Sequence, residues 1–267
     1  MESPTGVCFR SVWRGCAMNS KNLQDVQPGE RTSASGKAVR NRILLSMADT
    51  DYRGARPHLE FLELPHHLSL HEPHQKLEFA YFPNSGMISL VVVTENAKAV
   101  EVGMVGREGM TGTPAAVDLP TSPLQEIVQI AGNGFRLPVD ILRNVLGSSL
   151  AFKNILSRHA VVQGMHVAQT AACNRLHSLE QRLARWLLMA QDRVDAGLLP
   201  ITHDFLATML RTDRPSVGLA AASLQKKQSI EYRWGSVKVV DRKKLEEAAC
   251  ECYAAIQQFN SNLLLGD

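Results

Sequence analysis

The sequence predicts an α+β protein in which an N-terminal antiparallel β-domain is joined by a long helix to a C-terminal helix-turn-helix module with a β-hairpin. Short β-branched and aromatic runs fill the first half of the chain, and a 3.6-residue apolar period begins near residue 148. Two short amphipathic segments followed by two strand-like runs occupy residues 201–245. A chain of 267 residues is long enough for two such domains, each with its own core.

The overall composition is that of an ordinary globular protein, with 45% hydrophobic and 21% charged residues. No stretch approaches the roughly 18–20 uninterrupted apolar residues of a membrane helix, and the first residues lack the charged and then apolar pattern of a secretion signal. These features predict a cytoplasmic protein that does not enter a membrane. The five cysteines are irregularly spaced and odd in number, which predicts free thiols and no disulfide framework.

The pattern along the chain divides it into five segments. Residues 1–40 lack periodicity, so they predict a flexible tail or an extension produced by a start codon assigned too far upstream. A short helix at Asn41–Ala48 and the strand-like runs after it predict a β-domain at residues 41–146, built as an antiparallel sandwich or barrel. The remaining segments are connecting helices at 147–196, the helix-turn-helix module at 197–253 and a C-terminal tail at 254–267.

A long apolar stripe predicts one helix from about Ser148, roughly 26 residues and about 39 Å long. A helix of this length is longer than is needed to pack against one small β-domain. The stripe therefore predicts a homodimer whose second chain packs on the other side of this helix. A further helix is predicted at Ser178–Val194, with Gly197 as its C-cap and Pro200 beyond. The stripe consists of Leu146, Leu150, Ile155, Leu156, His159, Val162, Met165, His166, Gln169, Ala172, Cys173 and Leu176.

Residues 201–245 carry the signals of two helices separated by a turn. Thr202 and Asp213 are good N-caps, and Pro215 occupies the first turn of the second helix, where proline is tolerated. A hairpin is predicted around Trp234-Gly235-Ser236, which makes the module a winged helix. Residues 197–245 contain nine Lys or Arg and four Asp or Glu, a net charge of +5 (9 − 4) in a chain of net charge +3.

A basic winged helix predicts double-stranded DNA as the partner, with the helix Asp213–Lys227 in the major groove. The N-terminal side chains of such a helix reach base edges. Arg214 is the predicted guanine contact, Ser216 a base or phosphate contact, and Leu219 a contact to a thymine methyl group. Contacts to the phosphate backbone are predicted for Thr202, Lys226, Lys227 and Arg233, and Arg211 in the turn also faces the DNA.

The chain resembles the Crp/Fnr family of bacterial transcription regulators from about Asn41 to Tyr253. The resemblance rests on the stretches FAYFPNSGMISLVVV, VEVGMVGREGMTG, RLARWLLMAQDRV, ITHDFLATMLRTDRPSVGLAAASLQKK and LEEAACECY, in this order. It implies a β-roll of the cyclic-nucleotide-binding type, a dimer helix and a winged helix that binds a promoter. RNA polymerase would then be a further partner.

The resemblance also implies an effector site for an unknown small molecule. This site would include Gly106, Arg107, Glu108 and Gly109. Family members that bind cyclic AMP add an arginine-serine pair that holds the cyclic phosphate, but the matching stretch SPLQEIVQI has no arginine. A buried phosphate would lack its charge partner, so the chain is assigned to a subgroup that does not bind cyclic AMP, unless Arg107 takes over this role.

Three positions depart from the usual helix-turn-helix pattern of the family. Arg211 stands where the turn usually has glycine, and a non-glycine residue at positive φ costs about 1 kcal/mol. Gly218 inside the second helix costs about 1 kcal/mol relative to alanine. Ser229 replaces the apolar residue usual before the wing. These departures predict a weakened but intact module.

Histidine and cysteine clusters suggest a different chemistry. Five histidines lie within seventeen residues, but neither a cysteine pair nor a carboxylate completes a zinc pattern near them. Cys173 and His177, four residues apart on a helix, could bind a metal or haem. The prediction at all these positions is nevertheless solvated surface or plain packing, without a metal or cofactor. The residues concerned are His58, His66, His67, His71 and His74, with Cys250 and Cys252 on a helix and Cys8 and Cys16 in the tail.

Enzymatic function is not expected, because no nucleophile elbow, Walker loop or paired-carboxylate motif is present in the sequence. The main prediction is a dimeric DNA-binding regulator. The alternative is a ligand- or metal-sensing module that acts through protein partners without sequence-specific DNA binding.

Overall fold

The structure, a computed structural model of the chain, describes residues 30–95, 99–194 and 197–263. Most of the expected N-terminal tail lies outside these ranges. Its last part is packed rather than free, since Val39 is fully buried and the Arg31 guanidinium donates to the backbone oxygen of Leu44 at 2.7 Å. The folded domain therefore begins before the predicted boundary at residue 41.

Seven strands in two antiparallel sheets form the β-domain. One sheet has the strand order β1-β7-β3 and the other β2-β6-β4-β5. Phe82 and Phe135 are fully buried in the core between the sheets and the flanking helices. The strands are β1 (Glu60–Leu64), β2 (Ser69–His71), β3 (Phe79–Pro83), β4 (Met87–Val93), β5 (Ala99–Val105), β6 (Leu124–Ile130) and β7 (Gly132–Pro138).

Short helices cover this domain. The predicted helix at Asn41–Ala48 is α1 (Arg42–Ser46), and the Asn41 side chain caps it by accepting from the N–H groups of Ile43 and Leu44. Helix α2 (Asp49–Ala55) was not predicted, because seven residues with a glycine carry little periodicity. Two 3-10 helices (Arg56–His58 and Thr113–Val117) and α3 (Val139–Ser148) complete the cover.

The predicted long helix is α4 (Leu150–Leu176), 27 residues in length. The predicted stripe divides between two faces of this helix. Of the predicted stripe, Met165 and Ala172 belong to an exposed face. Its buried members on α4 are Leu156, His159, Val162, His166 and Cys173, together with Phe152 and Thr170, which the stripe did not include. The outer face is therefore available to a second chain.

Helix α5 (Leu179–Arg193) follows and begins with a capping box, in which Ser178 and Gln181 bond reciprocally to each other's backbone. The predicted C-cap at Gly197 is wrong, since Val194 takes this position. The chain leaves the helix earlier because Leu198–Leu199 form strand β8, which pairs with the later strand β10.

The C-terminal domain is a winged helix, as predicted. Its sheet has the order β8-β10-β9. The predicted tail at 254–267 is wrong for its first ten residues, because they belong to α9, which packs against α4. The elements are α6 (His203–Met209), α7 (Arg214–Lys226), β9 (Ile230–Arg233), β10 (Ser236–Val239), α8 (Arg242–Ala248) and α9 (Cys252–Leu263).

The two domains share a hydrophobic core through α5. Leu183, Leu187 and Leu188 of α5 are fully buried in a cluster that contains the inner face of α7. Met87 and Met104 of the β-domain belong to the same cluster. The winged helix is thus packed onto the β-domain. Within the described residues, every helix is too short or too polar to cross a lipid bilayer.

Candidate nucleic-acid interface

Helices α6 and α7 begin at the predicted caps. The Thr202 side chain accepts from the N–H of Phe205 at 3.1 Å, and Asp213 Oδ1 accepts from the N–H of Ser216 at 2.8 Å. These bonds to Ser216 lower the pKa of Asp213, so the cap is ionised at neutral pH. Pro215 lies in the first turn of α7, as predicted. The capped start of α7 thus stands at the surface.

Helix α7 has one buried and one exposed face. Val217, Ala220, Ala221 and Leu224 face the core, as predicted. On the exposed face, the Arg214 side chain is 68% exposed and its Nε lies 3.4 Å from Asp204 Oδ1. An ion pair between two exposed side chains contributes little to stability, so Arg214 can exchange Asp204 for another partner at low cost. Leu219 is 76% exposed on the same face.

The wing lies beside the start of α6. A Cβ built on Gly235 would be 3.6 Å from Thr202 Cγ2, and the rings of His203 and Tyr232 stack at 4.0 Å. Trp234 at the wing tip is fully exposed. Sequence reasoning assigned no role to this tryptophan, although its place in the predicted hairpin turn was a usable signal.

The structure divides the predicted basic contacts into paired and unpaired groups. Lys227 forms an ion pair with Glu180 of α5, and Arg233 Nε donates to Glu231 Oε1 at 2.7 Å. Ser216 Oγ donates to Asp213 Oδ2 at 2.8 Å, so this hydroxyl already serves the cap. Within the described residues no acidic partner lies within 4.0 Å of the predicted contacts Arg211 and Lys226. The same holds for Lys238 and Lys243, for which no contact was predicted.

One of the three departures from the family pattern, Ser229, is compensated by local hydrogen bonds. Ser229 is fully buried, but its hydroxyl donates to the backbone oxygen of Leu224 at 2.8 Å and its own carbonyl accepts from Val240 N–H. An alanine Cβ at Gly218 would meet only His203 Nδ1, at 3.9 Å, so this glycine is not required by packing. Arg211 has φ +51°, which confirms the expected left-handed turn residue.

Replacement of Arg211 by glycine should raise the free energy of unfolding by about 1 kcal/mol, because glycine adopts the left-handed region without a Cβ penalty. Chemical denaturation measures this change. Arg211→Ala is the matched control, since it removes the same charge but keeps the strain. An equal gain in both variants would contradict a conformational origin.

The turn Gly106–Gly109, the predicted effector segment, joins the β-domain to α4 and the end of α5. Glu108 Oε1 accepts from Gly106 N–H at 3.1 Å and lies 2.8 Å from Arg193 Nε. Burial raises the pKa of Glu108, but the Arg193 charge and backbone N–H groups outweigh it, so the net pKa is lowered. A Cβ at Gly109 would lie 2.6 Å from His159 Cε1. The tight packing explains this glycine.

Two further observations concern the β-domain interior. The backbone oxygen of Arg107 accepts from Arg42 N–H at 2.7 Å, and the Arg107 side chain is partly buried. The stretch SPLQEIVQI contributes Glu126, which is 3% exposed, contacts His71 and accepts from Gly112 N–H at 3.0 Å. The segment expected to lack a phosphate-binding cation therefore supplies a buried acid instead.

The histidine cluster does not converge on one point. His58, His66, His67 and His74 are exposed, in agreement with a solvated surface, but His71 is buried against Glu126. Within the described ranges these histidines belong to no group of three or more metal-ligating side chains. The one such group combines Cys173 and His177 with Cys250 and Cys252, where plain packing had been predicted.

A buried acid also lies beneath α5. Glu101 on β5 accepts hydrogen bonds from Trp186 Nε1, at 2.6 Å, and from Ser89 Oγ. Burial raises the pKa of Glu101 to about 7, although both hydrogen bonds oppose this shift. Trp186 in turn contacts Phe205 of α6 edge-to-face at 5.7 Å. A titratable group thus lies where the β-domain meets the winged helix.

Comparison with known proteins identifies both the module and the fold. Residues 181–248 match the family model of the Crp-like helix-turn-helix domain. FixK2 from Bradyrhizobium japonicum has 12% sequence identity and a TM-score of 0.63, with 72% of this chain and 98% of that chain covered. The c-di-GMP-responsive global regulator CLP from Xanthomonas campestris has 14% identity and a TM-score of 0.58, with coverage of 72% and 99%.

A CRP/FNR-family transcriptional regulator from Thermus thermophilus has 19% identity and a TM-score of 0.56, with 71% of this chain and 98% of that chain covered. No curated protein matches the chain by sequence. At these identities the structural likeness concerns the fold.

The fold and the matched domain define a DNA-binding transcription regulator with a β-roll, a long helix and a winged helix. The matched Crp-like helix-turn-helix domain and the shared fold support the resemblance to the Crp/Fnr family found in the sequence. Members of this family are transcription regulators and not enzymes.

Proposed function

We propose that the chain regulates transcription as a homodimer that places α7 in the major groove of double-stranded DNA. The observation that carries this proposal is the capped, exposed start of α7, with Arg214 beside a basic wing. A helix of this kind fits the groove, and its first turn reaches base edges. A regulator of chromosomal DNA acts in the cytoplasm, with RNA polymerase as a further partner.

Each exposed side chain has a separate role in this proposal. Arg214 leaves Asp204 and binds guanine through O6 and N7, and Leu219 contacts a thymine methyl group. Ser216 keeps its bond to Asp213 and accepts from a base or approaches a phosphate. Trp234 at the wing tip is added to the residues that contact the phosphate backbone. The predicted ones are Thr202, Arg211, Lys226, Lys227 and Arg233.

The outer face of α4 supports the dimer. Val161, Met165, Ala168 and Ala172 are exposed and follow one another at intervals of four, three and four residues, the spacing of a coiled-coil seam. Val161 is 53% exposed. Small and apolar side chains at these positions allow a second α4 to approach closely. The dimer would place two α7 helices about 34–36 Å apart, in successive turns of the groove.

The effector domain is proposed to respond to a small molecule other than cyclic AMP. Glu108 already pairs with Arg193, and the buried Glu126 would repel a phosphate placed near it. A ligand at Gly106–Gly109 would compete with Arg193 for Glu108 and so act on the end of α5. Such a ligand would shift the arrangement of the DNA-reading helices.

Two variants test the assigned DNA contacts, with a site selected from random duplexes as the probe. Arg214→Ala should weaken binding to the selected site by about 1–3 kcal/mol and leave binding to unrelated DNA nearly unchanged. Lys226→Ala should weaken both equally and reduce the salt dependence of log K by about 1 for each bound protomer. Fluorescence anisotropy at several stated salt concentrations measures both effects.

Lys153→Ala is the matched control, because this exposed lysine lies near the start of α4. It should leave both affinities unchanged. Equal loss of specific and unspecific binding in Arg214→Ala would contradict base reading by this residue. Wild-type binding without any sequence preference would favour the alternative, a sensing module that acts through protein partners.

A further inference from the structure

Four side chains with metal-binding atoms converge where the end of α4 meets the segment between α8 and α9. They are Cys173 on α4, His177 at its C-cap, Cys250 before α9 and Cys252 at its start. All four ligand atoms lie within 4.8 Å of one another. The three cysteines are almost completely buried, with exposed fractions of 0%, 5% and 1%.

Two of the distances between ligand atoms are close to those of a tetrahedral metal site. Cys173 Sγ lies 3.4 Å from Cys250 Sγ, and Cys252 Sγ lies 3.6 Å from His177 Nδ1. A zinc ion with Zn–S bonds of about 2.3 Å and a Zn–N bond of about 2.0 Å separates its ligand atoms by about 3.5–3.8 Å. A disulfide would need a sulfur separation of about 2.05 Å. The observed separations are too long for a disulfide and within a few tenths of an ångström of those around a shared zinc ion.

The neighbours of the cluster support the same conclusion. Glu251 Oε1 lies 3.1 Å from His177 Nε2, which leaves Nδ1 directed at Cys252. A carboxylate on the outer nitrogen of a ligating histidine is the usual way in which proteins orient such a ligand. Gln169 Nε2 donates to Cys252 Sγ at 3.1 Å, an N–H donor suited to a thiolate. Plain packing of thiols requires neither contact.

We propose that Cys173, His177, Cys250 and Cys252 form a structural Zn²⁺ site. Four protein ligands complete the tetrahedron, so the site is closed and has no open position for a substrate. Each cysteine thiol that binds releases its proton to solvent, so three thiolates and Zn²⁺ give the site one negative charge. Arg182 and Arg185 of α5 lie close enough to Cys173 to offset it.

The site joins parts of the chain that are far apart in sequence. Cys173 and Cys250 are separated by 77 positions. Zinc would therefore fasten the segment that follows the winged helix to the long helix α4. Because the ligands lie outside the DNA-reading face, zinc binding can be measured without DNA and does not depend on the proposed function.

The first test measures metal content in the full chain without an affinity tag, purified under reducing conditions without chelators. Inductively coupled plasma mass spectrometry should find about one zinc per chain. Replacement by Co²⁺ should give thiolate charge-transfer bands and the intense d–d bands of tetrahedral cobalt. Cys252→Ser should lose most of the zinc. The control Cys8→Ser/Cys16→Ser, whose two positions lie outside the described residues, should keep it.

A second measurement on the wild-type chain covers the case in which Cys252→Ser does not fold. Alkylation followed by mass spectrometry should show Cys173, Cys250 and Cys252 protected in the zinc-loaded protein and reactive once a chelator is added. Wild-type protein without zinc after incubation with Zn²⁺ and dialysis would overturn the proposal. So would equal reactivity of Cys173, Cys250 and Cys252 before and after the chelator is added, or a Cys173–Cys250 disulfide in the purified protein.

Discussion

Replacement of Arg193 by methionine is expected to lower the free energy of unfolding by about 3–5 kcal/mol at neutral pH, because it leaves Glu108 without its charge partner. The Arg193 side chain is 3% exposed and that of Glu108 23% exposed, so water can compensate only partly. Arg193 Nη1 also donates to the backbone oxygen of Met189 at 2.8 Å, and this bond is lost as well. Urea denaturation measures the change.

The double variant Arg193→Met/Glu108→Met is the control for this prediction. Removal of both charges should recover much of the lost stability, since an apolar pair of similar size can replace a buried ion pair. The pH dependence supplies a second check. Arg193 and the backbone N–H groups lower the pKa of Glu108, so its stabilising effect is present above its unfolded pKa and is lost as pH falls. Additive losses in the double variant would contradict the pairing.

Replacement of Glu101 by glutamine is expected to stabilise the protein by about 3 kcal/mol above neutral pH and to have little effect near pH 5. Burial raises the pKa of Glu101 from 4.5 to about 7 in the folded protein. The folded state then holds the proton more tightly than the unfolded state, so stability is full at low pH and falls as pH rises through about 7. Each pKa unit corresponds to about 1.36 kcal/mol.

Glutamine keeps the local hydrogen bonds of Glu101. Its Oε1 can accept from Trp186, and its amide can donate to Ser89 Oγ. Urea denaturation at several pH values between about 5 and 8 should therefore show a flatter pH profile in Glu101→Gln than in the wild type. Glu63→Gln, at an exposed position of β1, is the matched control. Parallel profiles for all three proteins would contradict the raised pKa.

Local signals explain why much of the winged helix could be predicted. The N-caps at Ser178, Thr202 and Asp213 depend on contacts between residues three positions apart, so the sequence alone is enough to predict them. The left-handed conformation of Arg211 followed from the family pattern of the turn. These features fix the positions of α6 and α7, and the structure confirms the predicted caps and turn conformation.

Distant contacts explain what could not be predicted. Residues 31–40 are fixed by Arg31 and Val39 against the β-domain, and α9 is fixed by α4. Neither segment has a strong signal of its own. Strand β8 has only two residues and is stabilised by its pairing with β10, so its own sequence does not predict it.

The candidate sites also depend on distant contacts that the sequence does not show. The Glu108–Arg193 pair and the cysteine cluster each join residues that only the tertiary fold brings together. Spacing in the sequence pointed only to the Cys173–His177 pair, because Cys250 and Cys252 lie more than 70 positions further along the chain. The exposed Trp234 lay within a predicted turn, but its exposure required the structure.

Selection of binding sites from random DNA duplexes tests the central claim, a dimeric regulator that reads DNA through α7, most directly. The selected sequences should share a twofold-symmetric motif whose half-sites are one helical turn, about 10 base pairs, apart, with a guanine in each half-site that Arg214→Ala no longer requires. Recovery of unrelated sequences without a common motif, bound as well by Arg214→Ala as by the wild type, would contradict it.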